Sequence, residues 1–139
     1  MPRYEELEVG TKLPPRTFPV RRTELVKYAG ASGDFNEIHW NERFATSVGL
    51  PDVIAHGMFT MAEALRVVTE WLDDPGAVVE YGGSFVRPVV VPDDGKGAVI
   101  EVSGKVVALL GDNQARIELT ATCDGEKVLS RAVAVVRFP

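Results

Sequence analysis

The spacing of apolar residues changes partway along this chain, and that change limits which folds are open to it. From about Gly57 to Asp73, apolar residues recur at every third or fourth position, which predicts one long amphipathic helix. After Gly76, apolar and polar residues alternate, which predicts strands. A long helix followed by strands without helices between them indicates an antiparallel sheet packed around that helix. We therefore predict the α+β class and not a series of βαβ units.

The long helix is predicted to have one face toward the core and one toward solvent. Glu63, Arg66 and Glu70 share the polar face, and Asp73-Asp74-Pro75-Gly76 predicts a firm end. The residues predicted to be buried are Met58, Met61, Ala62, Leu65, Val68 and Leu72.

The other predicted elements are shorter. Thr23 is the expected N-cap of a first helix, and Gly30 and Gly33 are expected to end it. A second short helix is predicted over 41–48, and a short edge strand over 16–20. The strands of the second half are predicted over 77–86, 100–108, 117–123 and 128–138, with hairpin turns at 111–113 and 124–125.

Length and composition define the broad class of protein. With 139 residues, of which 45% are hydrophobic, residues 1–139 are expected to form one domain with its own core. A net charge of −5 argues against a general affinity for nucleic acid. Cys123 is the only cysteine, so no intrachain disulfide can form, which fits a reducing compartment. The sequence shows no signal peptide and no membrane span, so we expect a cytoplasmic protein without a membrane partner.

Asp34 and His39 are the first candidates for chemistry. They lie five residues apart, just after the first predicted helix. A carboxylate and an imidazole together can act as general acid and base near neutral pH. Gly33 gives the backbone freedom for a tight loop, and Asn36 can hydrogen-bond the backbone within it. The alternative, in which Asp34 only caps a turn and His39 is a structural histidine, stays open.

His56 and Gly57 form the second candidate, at the start of the long helix. A helix N-terminus presents free N–H groups and a partial positive charge, which can polarise a carbonyl oxygen. Gly57 also lets a ligand approach the backbone with no Cβ in the way. The plainer interpretation, a helix start beside a packing glycine, stays open. Taken with Asp34 and His39, this pair suggests proton chemistry next to an acyl carbonyl.

Other signatures of catalysis are absent from the sequence. It contains no glycine-rich phosphate loop, no Cys-x-x-Cys pair and no Gly-x-Ser-x-Gly turn. Its two histidines fall on separate segments, which makes a poor metal site. We therefore expect neither a metal ion nor a cofactor.

The Asp34-x-Asn36-x-Ile38-His39 pattern resembles the hydratase 2 motif of MaoC-like dehydratases and R-specific enoyl hydratases. The resemblance extends over nearly the whole chain, through Glu8-Val9-Gly10, His56-Gly57-Met58 and Phe85-Val86-Arg87-Pro88-Val89. It implies the hotdog fold, in which a long central helix is wrapped by an antiparallel sheet.

Within that family, the chain is most similar to the catalytic subunit of the mycobacterial-type (3R)-hydroxyacyl-ACP dehydratases. The similarity lies in residues 28–34, 38–40, 55–58, 74–78 and 94–97. It implies reversible removal of water from (3R)-3-hydroxyacyl thioesters in type II fatty acid elongation. It also implies pairing with a second hotdog subunit, either an identical copy or a homologous sister.

The resemblance also implies roles for individual residues. Asp34 and His39 would be the acid/base dyad, and the Gly57 N–H would contact the carbonyl oxygen. Asn36 would shape the loop, and His56 would belong with Gly57 to the oxyanion and substrate-binding group. One departure from the family pattern is Glu37, which stands where the motif usually has proline. Its expected effects are a less rigid turn and an added charge near the site.

Several alternatives remain open at the level of sequence. The substrate carrier is either acyl carrier protein or coenzyme A, and Arg87 is a candidate contact for its negative charge. Rival functions are an R-specific enoyl-CoA hydratase of acyl-CoA degradation, a hotdog acyl thioesterase and a non-catalytic acyl-binding subunit. The candidates for lining an acyl tunnel are Met58, Met61, Leu65 and Trp71.

Overall fold

The computed structural model describes all residues from Met1 to Pro139. Its α-helices are α1 (Arg22–Ser32), α2 (Glu42–Ser47) and α3 (Gly57–Leu72), and short 3-10 turns occupy Tyr4–Glu6, Glu37–His39 and Pro75–Ala77. Its strands are β1 (Lys12–Val20), β2 (Val78–Phe85), β3 (Ala98–Gly111), β4 (Gln114–Cys123), β5 (Glu126–Lys127) and β6 (Leu129–Arg137).

All strand pairs are antiparallel, and the sheet has the order β1-β3-β4-β6-β2, with the two-residue β5 beside β4. The sheet packs around α3, and 31 buried residues from the sheet, the helices and the connecting segments form one hydrophobic cluster. Tyr81 of β2 donates a hydrogen bond from its hydroxyl to the Met61 carbonyl of α3 at 2.8 Å, and burial raises the pKa of Tyr81 to about 12. This arrangement confirms the predicted α+β class and the hotdog fold.

The boundaries of α1 differ from the prediction. The N-cap is Arg21 and not Thr23, because the Glu24 carboxylate accepts the Arg21 N–H at 2.8 Å and takes over the capping role. Gly30 lies inside the helix. Gly33 does end it, in a left-handed conformation with φ of 76° that glycine adopts without strain.

The buried face of α3 was predicted only in part. Met61, Val68 and Leu72 are buried, whereas Met58 and Ala62 are exposed. Thr60, Ala64 and Val67 take their place in the core.

The predicted edge strand is present and is longer than expected. β1 begins at Lys12 and includes Pro14 and Pro15, and its pairing with β3 shifts register between Leu13 and Arg16. Prolines fit here because an edge strand leaves half of its N–H groups without a partner strand.

The segment before α3 is fixed to the segment after β2. Ala55 N–H donates to Val89 O, and Val91 N–H donates to Val53 O, each at 2.9 Å. Arg22 of α1 also links these two segments, because its guanidinium donates to Val91 O at 2.6 Å and to Asp52 at 2.8 Å. The N-terminus of α3 is thereby held next to the end of β2. No helix combines the length and the apolar character that crossing a membrane would require.

Candidate active site

The loop that carries Asp34 begins where Gly33 turns the chain out of α1. Ser32 Oγ accepts the Asp34 N–H at 3.1 Å, and the Asp34 carboxylate accepts the Asn36 N–H at 3.2 Å. Both bonds are short-range side chain to backbone contacts of the kind that stabilise tight turns. The Asp34 side chain is 51% exposed.

Asn36 begins the 3-10 turn that carries His39. Its side-chain oxygen accepts the Ile38 N–H at 3.2 Å, and the Trp40 indole N–H donates to the Phe35 carbonyl at 2.9 Å. Glu37 occupies the first position of the turn, where its carboxylate accepts a hydrogen bond from the Asn41 amide at 3.3 Å. The turn is therefore held by side-chain bonds at the position where the family motif usually has proline.

His39 is oriented by a backbone carbonyl from another segment. Its Nδ1 lies 2.7 Å from Ile54 O, so Nδ1 carries the proton and donates. Its Nε2 is then an acceptor, and it faces Asp34 Oδ2 at 3.9 Å. That distance is too long for a direct hydrogen bond. A carboxylate oxygen and an unprotonated ring nitrogen are both acceptors, so the gap between them suits a water molecule or a substrate hydroxyl that donates.

The surroundings of His39 favour its neutral form. The residue is 7% exposed, and burial is the largest cause that lowers its pKa below the usual 6.5. The hydrogen bond to Ile54 and the Asp34 charge act in the opposite direction, and nearby His56 lowers the pKa further. A neutral imidazole near physiological pH is the form that accepts a proton.

The His56 side chain lies behind the dyad. It is 2% exposed, and its Nε2–H donates to the backbone carbonyl of Asp34 at 3.0 Å. Its ring stacks on His39 with centroids 3.8 Å apart and an angle of 22° between planes, and Tyr28 packs against it at 4.7 Å. No group of the protein donates to its Nδ1.

Gly57 is the first residue of α3, so its N–H has no acceptor within the helix. A Cβ at this position would lie 2.9 Å from three ring carbons of Phe85. Phe85 thus packs directly on the Gly57 backbone. No sequence signal had singled out this contact, because it joins residues 28 positions apart through the fold.

A cavity of about 370 Å³ opens between the start of α3 and the end of β2. His39, Gly57 and Thr60 form one side of it. Phe85, Arg87 and Val89 belong to its other side, and Arg87 pairs with Glu126 at 3.2 Å.

None of the candidates for the acyl tunnel lines this cavity. Met58, Met61, Leu65 and Trp71, which the sequence offers as lining of a tunnel along α3, are all absent from its lining. The cavity lies instead at the N-terminal end of the helix, because packed side chains fill the space along its length. Ile38, Ile54 and Leu129 supply apolar lining that the sequence did not indicate.

Asp34, His39 and His56 each offer a possible metal-ligand atom, and these atoms lie within 4.8 Å of one another. In-plane lone pairs of two nearly parallel rings point side by side and do not converge on one ion. His56 Nε2 is already committed to the Asp34 carbonyl. The geometry therefore favours proton transfer over metal binding, and the expected absence of a metal stays a prediction.

Comparison with known proteins gives the same family as the sequence motif. Residues 6–122 match the profile described as the MaoC like domain. The chain is 32% identical to a 3-hydroxybutyryl-CoA dehydratase of Methylorubrum extorquens, over 98% of this chain and 83% of that protein.

Two solved structures share the fold along nearly the whole chain. A MaoC-like dehydratase superposes with a TM-score of 0.95 at 40% identity, and it covers 99% of this chain, which spans only 42% of that one. An (R)-hydratase from A. caviae involved in PHA biosynthesis superposes with a TM-score of 0.85 at 26% identity, over 97% of this chain and 99% of that one. The chain therefore belongs to the MaoC-like dehydratase family and is an enzyme of the hydro-lyase class.

Proposed function

We propose that residues 1–139 form one MaoC-like domain that interconverts (3R)-3-hydroxyacyl thioesters and trans-2-enoyl thioesters by loss and addition of water. The observation that carries this proposal is the facing pair of acceptors, His39 Nε2 and Asp34 Oδ2, which lie 3.9 Å apart. His39 lines the same cavity as Gly57, whose N–H has no acceptor within the helix, and the half-exposed Asp34 lies outside that lining. The relatives named as a 3-hydroxybutyryl-CoA dehydratase and an (R)-hydratase support the same chemistry.

In the hydration direction, Asp34 and His39 hold one water molecule between them. As the water oxygen attacks C3 of the enoyl thioester, the dyad accepts one water proton and delivers one proton to C2, so it returns to its starting protonation state. Dehydration reverses these steps, so that C2 loses a proton and the C3 hydroxyl leaves as water. Because the two groups are coupled, the proton belongs to the dyad as a unit.

The Gly57 N–H stabilises the charge that develops on the thioester oxygen. A hydrogen bond from a helix N-terminus to an enolate is stronger than one to a neutral carbonyl, which is the condition for lowering the barrier. Asn36 holds the loop between the two dyad members through its bond to Ile38 N–H. No metal or redox cofactor enters the reaction.

The cavity favours a short acyl group on a phosphorylated carrier. Its volume of about 370 Å³ lies near the lower end of the range for small-molecule sites. Arg87 lines it with a side chain that is 57% exposed, and its charge suits the phosphate of a pantetheine arm. Both coenzyme A and acyl carrier protein bring this phosphate, so a role in fatty acid elongation and one in acyl-CoA metabolism are both compatible with it.

A second hotdog subunit, identical or homologous, is part of the proposal. β2 is an edge strand of the sheet, and its Val79 and Phe85 are exposed together with the adjoining Val86. An open edge with apolar side chains is a ready site for strand pairing. Pairing along β2 would also cover the side of the cavity that Phe85 and Val86 form.

The test is hydration of crotonyl-CoA, followed by loss of enoyl absorbance, with the chain alone and with a candidate sister subunit. We expect Asp34→Asn and His39→Gln each to lower kcat by about 100-fold or more. Asp112→Asn, the same change in an exposed hairpin turn, is the matched control and should leave kcat unchanged.

The same assay separates the rival functions. Release of free thiol from acyl-CoA without hydration would indicate a thioesterase. Activity that appears only with the sister subunit would indicate a heterodimer, and faster turnover of acyl-ACP than of acyl-CoA would indicate the carrier. Unchanged turnover in both dyad variants would refute the proposed dyad.

A further inference from the structure

We infer that His56 is a positioning residue that fixes the Asp34 loop relative to His39 and Gly57 and does not touch the substrate. The inference rests on the proposed hydratase function. It replaces the expectation that the His56 side chain binds substrate, since that side chain is 2% exposed and its Nε2–H already donates to the Asp34 carbonyl.

The first support is the hydrogen bond to the loop. The other hydrogen bonds of Asp34 reach only Ser32 and Asn36, which belong to the same exposed stretch of chain. The bond from His56 Nε2–H to Asp34 O, at 3.0 Å, connects this stretch to α3 across 22 positions of sequence. A backbone bond from Ile54 N–H to Ile38 O, at 3.1 Å, holds the later part of the loop, and the His56 bond holds the end that carries Asp34.

The second support is the contact with the His39 ring. The Ile54 carbonyl sets the direction of the imidazole within its plane, and the His56 ring supports one face of it at 3.8 Å. Together, these contacts aim His39 Nε2 at Asp34. One buried side chain thus touches both members of the dyad, and its own backbone leads directly into Gly57.

The third support is the unpartnered Nδ1 of His56. A buried acceptor without a donor destabilises the folded state, so packing alone would favour an apolar side chain of similar size between Tyr28 and His39. A position that keeps such a polar group at the expense of stability is typical of a functional site. The function that we assign to the His56 imidazole is the hydrogen bond from its Nε2–H to the Asp34 carbonyl.

The test compares His56→Gln with His56→Leu. The two side chains are close in size, and only glutamine can still donate to the Asp34 carbonyl. We expect His56→Leu to lower kcat for crotonyl-CoA hydration by about 10- to 100-fold with KM within about twofold, since a displacement near 1 Å has an effect of this size. His56→Gln should recover kcat to within about fivefold of wild type, and the melting temperature of His56→Leu should equal or exceed that of His56→Gln.

A double variant distinguishes positioning from independent catalysis. If His56 acts through the dyad, His56→Leu should change kcat less than about twofold in a His39→Gln background. Equal losses of kcat in His56→Leu and His56→Gln would overturn the inference. So would additive losses in the double variant.

Amide hydrogen exchange tests the same tether without an activity assay. The Asn36 and Ile38 amides should exchange at least about tenfold faster in His56→Leu than in His56→Gln, while those of the 112–113 hairpin stay the same. If wild type proves inactive, the proposed function fails, but this exchange result still decides whether His56 holds the loop. Equal exchange rates in the two variants would refute the tether.

Discussion

Replacement of Gly57 by alanine should lower catalytic activity at the start of α3 while it leaves the stability of the protein nearly unchanged. The added Cβ would lie 2.9 Å from the Phe85 ring, and ordinary contact begins at 3.4 Å, so the ring must move by about 0.5 Å or more. Phe85 is 53% exposed and can move at low cost. Gly57 has a negative φ, so alanine fits the backbone and gains about 0.4–1 kcal/mol by restricting the unfolded chain. The free energy of unfolding should therefore change by less than about 1 kcal/mol.

Activity should respond much more strongly. Gly57 and Phe85 line the same cavity, so the new methyl group and the displaced ring both alter where the thioester carbonyl sits. A misplacement near 1 Å costs up to about 100-fold, and we expect kcat/KM for crotonyl-CoA to fall about 10- to 100-fold. The assays are enoyl absorbance for turnover and urea denaturation for stability.

The matched control is Gly30→Ala. Gly30 is also helical, and a Cβ there would meet nothing within 4 Å, so this variant should be about 1 kcal/mol more stable and fully active. Wild-type kcat/KM in Gly57→Ala would show that the carbonyl does not approach Gly57. A loss of several kcal/mol in stability would show that Phe85 is held more rigidly than its exposure indicates.

Three further predictions follow from single features. Because burial holds the pKa of His39 below its usual 6.5, the unfolded chain binds this proton first as the pH falls. The free energy of unfolding, measured by denaturation at successive pH values, should therefore decline below about pH 6.5 and level off below the folded-state pKa. His39→Gln should lack this part of the pH dependence. A Cβ at Gly97, where φ is +69°, would overlap the Val20 carbonyl oxygen, so Gly97→Ala should cost more than about 3 kcal/mol in urea denaturation. Gly95→Ala, with φ of +79° but open space around it, should cost only about 1–2 kcal/mol. Incubation with EDTA should leave hydration activity unchanged, and a loss that zinc restores would contradict the metal-free mechanism.

The order of helices and strands could be predicted because it depends on local patterns. The change of period after Gly76 and the turn residues at Gly111 and Gly125 each act within a few positions of the chain. The rotation of α3 could not be predicted in the same way. Ala64 and Val67 are apolar as well as Met58 and Ala62, so more than one stripe of this helix satisfies the helical period. The sheet decides which stripe is buried, and that information is non-local.

The candidate site shows the same division. Asp34, Asn36, His39 and Gly57 could be selected from residue type and spacing, since a loop acid/base pair and a glycine at a helix start have recognisable chemistry. The role of the Ile54 carbonyl in orienting His39 could not be predicted, because every residue carries a carbonyl and only the fold determines which one meets His39. The inward orientation of the His56 side chain could not be predicted either, because the same sequence is compatible with a side chain that faces substrate.

The two edge strands of the sheet, β1 and β2, differ in how readily they can pair with a strand of another molecule. β1 carries three prolines, at positions 14, 15 and 19, and shifts register against its neighbour, so it is a poor template for a further strand. β2 also shifts register against its neighbour, at two places, but it has no proline, so the difference between the two edges rests on the prolines. A sheet that can grow from only one end stops growing once two such ends have met. If the proposed subunit pairing uses β2, it is therefore self-limiting, because the three prolines of β1 disfavour growth of the sheet from its other edge.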